Sequence, residues 1–214
     1  MKQINLFDIN LFEFQCDNKL TKFVYDEIIQ LDRNQQIFWN KTRGDNPGNA
    51  GYLNKETSKF YYNKELYNWF DTCIESVSTS VLKRKQVICD TWITKHQFLE
   101  YSDFHKHSFS VLSGVFYFND GSPIEFQMQH PWLSNLKFFY PDDTTVLKSS
   151  YTPSAGKLIL FPSDIQHKVS VNKTKEPRYS LVFNTFFDGL ISSHHTGKLN
   201  LSTAPVKNFS ENTI

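Results

Sequence analysis

A β-rich sandwich or barrel backed by helices is the fold class that this 214-residue sequence predicts, and three observations point to it. Two early segments carry apolar side chains at helical spacing. From Lys85 onward the texture changes to short β-branched and aromatic runs separated by turn residues. No internal repeat or low-complexity linker divides the chain, so a single domain is expected over 1–214. Its helical part covers about 1–85, its β core about 86–192 and a polar tail about 193–214.

Each element follows from local pattern. Asn18 is the expected cap of a helix running to about Arg33, with Leu20, Phe23, Val24, Ile28 and Leu31 on one stripe. A second helix is expected from Lys64 to Arg84, because Leu66, Trp69, Phe70, Cys73, Ile74, Val77 and Val81 step by three and four. Between them, Gly44 to Gly51 reads as a loop from its turn residues. Strands are expected at Gln86–His96, Phe109–Asn119, Ile124–Gln129, Gly156–Phe161, Gln166–Val171 and Arg178–Phe187. Residues 130–153 carry no clear pattern, and the tail after Ser192 is expected to be loosely held.

Composition excludes several functions. Lys plus Arg is 23 and Asp plus Glu is 22, a net charge of +1, which gives no global field for nucleic acid or an anionic membrane. No run of 18 apolar residues is present to span a bilayer, and the first residues lack the apolar core of a secretory signal. Cys16, Cys73 and Cys89 form no ligand cluster and read as reduced thiols, so a cytoplasmic protein is expected. Aromatic residues make up 16% and include 20 Phe, enough bulk to build a core with few aliphatics.

The chemistry-bearing stretch is His105-Lys106-His107. On one strand, residues two apart share a face and lie about 6.5–7 Å apart. Two such imidazoles can lean toward one ion, and a nitrogen-ligated first-row metal at about 2.0–2.2 Å needs a third donor from elsewhere. His167, 62 and 60 residues further on, is the candidate. Arg178 and Ser180, also two apart, offer a guanidinium fork and a hydroxyl to a carboxylate. A symmetric 171–178 hairpin sets Arg178 opposite Val171, roughly 13 Å along the strand from His167. An arginine side chain and a metal-chelated five-carbon dicarboxylate together bridge that span.

Three segments carry a family resemblance. His105 to Tyr117 resembles the HxH…SGVxY segment of 2-oxoglutarate/Fe(II)-dependent oxygenases, Gly156 to Ser163 with His167 resembles their GxLxLFPS…H segment, and Arg178 to Asn184 is similar to their RxSxxFN ending. The resemblance implies a mainly β fold with N-terminal helices and a double-stranded β-helix (jelly-roll) core. It implies Fe(II) and 2-oxoglutarate as cofactor and cosubstrate, and hydroxylation of a substrate with decarboxylation of 2-oxoglutarate to succinate. His167 then matches the distal iron ligand, and Arg178 with Ser180 matches the pair that receives the far carboxylate of 2-oxoglutarate. Tyr117 reaches the same carboxylate if its strand runs unbroken from His105. Trp92 and Asn184 match family positions, with packing as their expected role.

One departure keeps the ligand set open. Most such oxygenases follow the first histidine with Asp or Glu two residues on, where this chain has His107. A set of His105, His107 and His167 therefore stands beside one in which Asp103 or Glu125 replaces a proximal histidine. Two other classes also stay open: a cupin-like metalloenzyme with a three-histidine centre and no 2-oxoglutarate, and a non-catalytic jelly-roll binding module whose aromatic pairs, such as Tyr61-Tyr62 or Phe138-Phe139, make contacts. The partner is expected to be an unidentified small molecule or protein, met by loops 44–55 and 130–150, with oligomeric state open.

Overall fold

The computed structural model describes residues 9–42, 45–53, 63–129, 146–191 and 199–201. Its first strand, β1 (Phe12–Gln15), precedes helix α1 (Asn18–Arg33). The cap of α1 is Asp17 rather than Asn18: its carboxylate accepts from the Lys19 and Leu20 amides at 2.9 and 3.1 Å. The buried stripe is narrower than the apolar pattern, since Val24 and Ile28 are buried but Phe23 is 55% exposed. Strands β2 (Phe38–Lys41) and β3 (Asn49–Tyr52) follow, so the expected Gly44–Gly51 loop gives way to a strand at its C-terminal end.

Helix α2 (Lys64–Val77) is capped by Asn63, whose side chain accepts from the Leu66 amide at 3.0 Å. It stops short of Arg84. Residues Ser78–Leu82 widen into a π turn, which ends at Lys83 in the left-handed region at φ 54°. Short hydroxyl side chains compete for helix carbonyls here, as when Ser80 Oγ donates to the Ser76 carbonyl at 2.6 Å.

The remaining strands are β4 (Gln86–His96), β5 (Ser102–His105), β6 (Leu112–Tyr117), β7 (Ile124–Gln129), β8 (Val146–Tyr151), β9 (Lys157–Pro162), β10 (Gln166–Val169), β11 (Arg178–Phe187), β12 (Gly189–Ile191) and β13 (Leu199–Leu201). They form a seven-stranded sheet ordered β1-β9-β6-β11-β4-β3-β2 and a four-stranded sheet ordered β5-β10-β7-β8, with antiparallel pairing throughout. Strand β8 lies within the stretch that carries no clear pattern. The tail also differs from expectation in part, because Leu199–Leu201 pairs with Gly189–Ile191.

Period-two alternation sorts the large sheet into two faces. On β11, Tyr179, Leu181 and Phe183 join the helix-side core with Val24, Ile28, Leu66, Phe70 and Ile74. Phe70 packs tilted against Phe183 and edge-on against Phe116, with ring centroids 5.0 and 5.5 Å apart. Gly114 leaves room for this packing, since a Cβ there would sit 2.2 Å from Phe183 Cζ. The opposite face of the same strands supplies Val115, Tyr117, Ile159 and Val182 to a second cluster, which Ile124 and Phe161 complete.

Two polar hubs fix the layers. Asp32, on α1, accepts from Trp39 Nε1 at 2.8 Å, Lys95 Nζ at 2.5 Å and Tyr179 Oη at 2.5 Å, so one carboxylate ties the helix to β2, β4 and β11. Burial raises its pKa, but those three donors outweigh it and hold the group below the usual range. The second hub is Asn172, fully buried where the chain leaves β10 for β11. Its amide donates to the His96 and Glu176 carbonyls at 2.9 and 3.0 Å, and its Oδ1 accepts from Thr174. The expected 171–178 hairpin is therefore absent. This connection crosses between sheets, and Arg178 pairs with His96 rather than Val171. Among the described residues, no helix is long and apolar enough to cross a membrane.

Candidate active site

The histidines expected from sequence come together between the sheets. His105 ends β5 and lies directly opposite His167 on β10. His107 lies beyond the strand end, so the two proximal histidines do not share one continuous strand. The chain turns at Ser108 and Phe109, the latter at φ 56°, before β6 begins at Leu112. His107 is nevertheless drawn inward by its amide, which donates to the Ser163 carbonyl at 3.0 Å. Ring centroids are 5.3 Å apart for His105–His107, 4.4 Å for His105–His167 and 5.0 Å for His107–His167. Each ring offers one nitrogen, and the three nitrogens lie within 4.8 Å of one another.

Two of the rings have their protonation sites fixed by backbone carbonyls. His105 Nδ1 meets the Asp103 carbonyl at 2.7 Å, and His167 Nδ1 meets the Ile165 carbonyl at 2.9 Å. A carbonyl only accepts, so each Nδ1 carries the hydrogen and each Nε2 presents a lone pair. Burial pushes His167 down to about 3 and His107 to about 4, with His105 adding to both shifts, so both are neutral near pH 7. Three imidazoles facing one point are a donor set that fits ferrous iron.

Neither proposed carboxylate joins this cluster. Glu125 accepts from Ser170 Oγ, pairs with Lys168 at 3.2 Å and lines a groove on the outer side of the small sheet. Asp103 touches His105 only through its backbone carbonyl.

The histidines line one end of a cavity of about 630 Å³. Its wall includes every second residue of three strands of the large sheet: Trp92, Thr94 and His96 from β4, Val115 and Tyr117 from β6, and Arg178, Ser180 and Val182 from β11. Tyr117 thus reaches the cavity through β6's own alternation, although the strand is not continuous from His105. Arg178 is 1% exposed, and its guanidinium carbon lies 5.0 Å from the Tyr117 ring centre. Its three side-chain nitrogens and the Tyr117 hydroxyl have no hydrogen-bond partner among the described residues. Ser180 Oγ lies 2.6 Å from Thr94 Oγ1. Burial pushes Tyr117 up to about 12 despite the nearby guanidinium, so its phenol stays a donor at neutral pH.

Sequence reasoning missed two contributors. His96, given no role, lines the cavity beside Arg178, with Nε2 2.9 Å from Ser102 Oγ. The signal lies in the alternation Trp92, Thr94, His96. Asn184 is not simply packing, since its Oδ1 lies 2.7 Å from His107 Nδ1. His130, His194, His195, Tyr61-Tyr62, Trp132, Phe138-Phe139-Tyr140 and most of loop 130–150 lie outside the described residues.

Burial of His96 pushes its pKa to about 3, with Arg178 and Lys41 adding to the effect. His96, His107 and His167 therefore all titrate far below an unfolded histidine near 6.5. Their stability contribution is whole above pH 6.5 and is lost as pH falls toward their folded values, because only the unfolded chain takes up the protons. Denaturant titrations of metal-free protein at pH 7, 6 and 5 are expected to show a loss of up to about 4 kcal/mol per pH unit below 6.5. A flat profile would show that these rings are not buried as neutral groups.

Known proteins resemble this chain in sequence over part of its length and in fold over most of it. Residues 90–184 match the family described as "Putative 2OG-Fe(II) oxygenase", a span that holds all three histidines, Tyr117, Arg178 and Ser180. No curated protein sequence matches the chain. A Pseudomonas putida prolyl-4-hydroxylase superposes with TM-score 0.60 at 12% identity, covering 85% of this chain and 94% of that one. The epimerase SnoN in complex with Fe3+, alpha ketoglutarate and nogalamycin RO gives 0.62 at 12%, covering 94% and 92%. HygX from Streptomyces hygroscopicus, with nickel and 2-oxoglutarate bound, gives 0.57 at 8%, covering 83% and 82%. At these identities the likeness establishes the shared jelly-roll fold. The matched span, somewhat under half of the chain, is thus similar to the 2OG-Fe(II) oxygenases, which use ferrous iron and 2-oxoglutarate.

Proposed function

We propose that this oxygenase is a hydroxylase in which His105, His107 and His167 hold Fe(II), while Arg178, Tyr117 and Ser180 receive the distal carboxylate of 2-oxoglutarate. One observation carries the reading: a fully buried guanidinium with no acceptor among the described residues faces the same cavity as the histidine cluster. A buried unpaired charge costs several kcal/mol, so the site is built for an anion. When bound, iron with 2-oxoglutarate and O2 supplies the oxidising chemistry, in which one oxygen atom enters the substrate and the other enters succinate as CO2 leaves.

The protein's own residues hold, orient and exclude. Arg178 offers a planar fork to a carboxylate, and Tyr117 adds a phenol O–H. Ser180 and Thr94 share a hydroxyl contact at 2.6 Å, and Thr94 Oγ1 also faces the Ser180 carbonyl at 3.4 Å, so Ser180 Oγ can turn its hydrogen from Thr94 to the ligand. Val115, Ile124 and Val182 make the walls between anion pocket and histidines apolar, which keeps water from the reacting end. Trp92 packs edge-on against His107 with centroids 5.4 Å apart and steadies that ring. The substrate is a small molecule or a protein segment entering from the histidine side, and activity in a cytoplasmic setting accords with the reduced thiols Cys16, Cys73 and Cys89.

A three-histidine enzyme without 2-oxoglutarate would leave Arg178 without a counter-ion, and a binding module would leave the converging imidazoles without a purpose. Anaerobic titration with Fe(II) and 2-oxoglutarate is expected to give a weak visible charge-transfer band, and turnover under 18O2 is expected to place one labelled oxygen in the product. Absence of the band at saturation would overturn the cosubstrate assignment. A product isomeric with its substrate would overturn hydroxylation.

A further inference from the structure

We propose that Asn184 is a positioning residue for His107, fixing its tautomer through a side-chain acceptor where the other two histidines use backbone carbonyls. The inference rests on the reading that His107 ligates iron. The contrast is geometric. The Nδ1 atoms of His105 and His167 each find the carbonyl two residues earlier in the chain. His107 sits past the end of its strand, and its Nδ1 meets side chains instead: Asn184 Oδ1 at 2.7 Å and Ser113 Oγ at 2.8 Å. Ser113 Oγ also lies 3.0 Å from Asn184 Oδ1, as a donor to it, and 2.9 Å from Ser163 Oγ. The Ser113 hydroxyl, directed at Oδ1, sets the carboxamide with its oxygen toward the histidine, which makes Nδ1 the hydrogen-bearing nitrogen.

Sheet register explains the placement. Asn184 pairs with Ser113 across β11 and β6. It extends the cavity-facing row Arg178, Ser180, Val182 by one more step of two, roughly 20 Å from Arg178 along the strand. The register of β11 against β4 then shifts between Asn184 and Thr185, so the row ends there. Asn184 is 9% exposed and Ser113 is fully buried, so water does not compete strongly for the contact. An accepting oxygen at Nδ1 holds the hydrogen there and leaves the Nε2 lone pair for the metal, as outer partners of ligating histidines do.

Titration with Co(II), read by its visible d–d bands, tests the inference apart from turnover. Asn184→Leu keeps the volume but loses the acceptor, and is expected to weaken Co(II) binding about 10- to 100-fold and alter the band pattern. Asn184→Asp keeps an acceptor and is expected to restore near-wild-type binding. In metal-free protein, long-range 1H–15N spectra are expected to show His107 as the Nδ1–H tautomer in wild type and as a mixture in Asn184→Leu. Wild-type affinity and tautomer in Asn184→Leu would overturn the proposal, as would an Asp variant as impaired as the Leu variant. His107→Ala separates the two levels. If that variant binds Co(II) as wild type does, the ligand reading itself fails. If it does not, an unaffected Asn184→Leu refutes only the positioning role.

Discussion

His167→Ala is expected to abolish iron-dependent succinate formation. His167 is the ligand candidate contributed by β10, and it is the most enclosed of the three: 3% exposed, with Phe161 4.9 Å and Phe126 6.3 Å from its ring centre. These rings hold the imidazole against His105, its direct partner across the sheet. No described carboxylate stands close enough to take its place in the cluster. Loss of an outer partner of a ligand typically costs about 10- to 100-fold in metal affinity, so loss of the ligand itself is expected to exceed about 100-fold. The removed ring also leaves a buried gap, so His167→Gln, which is closer in size, should accompany the alanine variant. Both are expected to fold and to lose turnover and metal together. More than about a tenth of wild-type activity in either variant would exclude His167 from the centre.

Arg178→Met separates ligand binding from stability. The methionine approximates the length of the arginine stem and removes the charge. In the ligand-free protein that charge is buried beside Tyr117 with no acceptor among the described residues, and replacing such a group with an apolar one is commonly neutral or stabilising. The variant is therefore expected to unfold at the same denaturant concentration as wild type, or a higher one. Its 2-oxoglutarate requirement is expected to rise about 10- to 1,000-fold, the value of one or two charge-assisted hydrogen bonds. Arg178→Lys is expected to fall between, because a point charge does not reproduce the planar fork. An unchanged requirement for 2-oxoglutarate in Arg178→Met would remove Arg178 from the anion pocket.

Much of this site is legible in the spacing of residues along the chain. His105, His107 and His167 are readable as donors from residue type and spacing, and Arg178 with Ser180 from the two-residue step that puts them on one face. Local pattern does not carry the assignment of strands to sheets. The buried amide of Asn172 sends the chain from one sheet to the other, and nothing in its neighbours distinguishes that crossover from a hairpin. The break after His105 is hidden for a similar reason: Phe109 takes a left-handed conformation that its residue type disfavours, held by the tertiary contacts of the His107 and Val111 amides. Asn184 has no local mark of its task, since its partner on His107 is 77 residues away in sequence. The short strands β1 and β3 escape notice because four residues show too little alternation to stand out.

The crossover at Asn172 puts the histidines of β5 and β10 on the small sheet and the guanidinium of β11 on the large one. A dicarboxylate that touches both is thus a rivet through the sandwich, fastened to a different layer at either end. On the proposed assignment its binding energy adds to the cohesion of the two layers, and the supply of this one metabolite is expected to set how firmly they are clasped together.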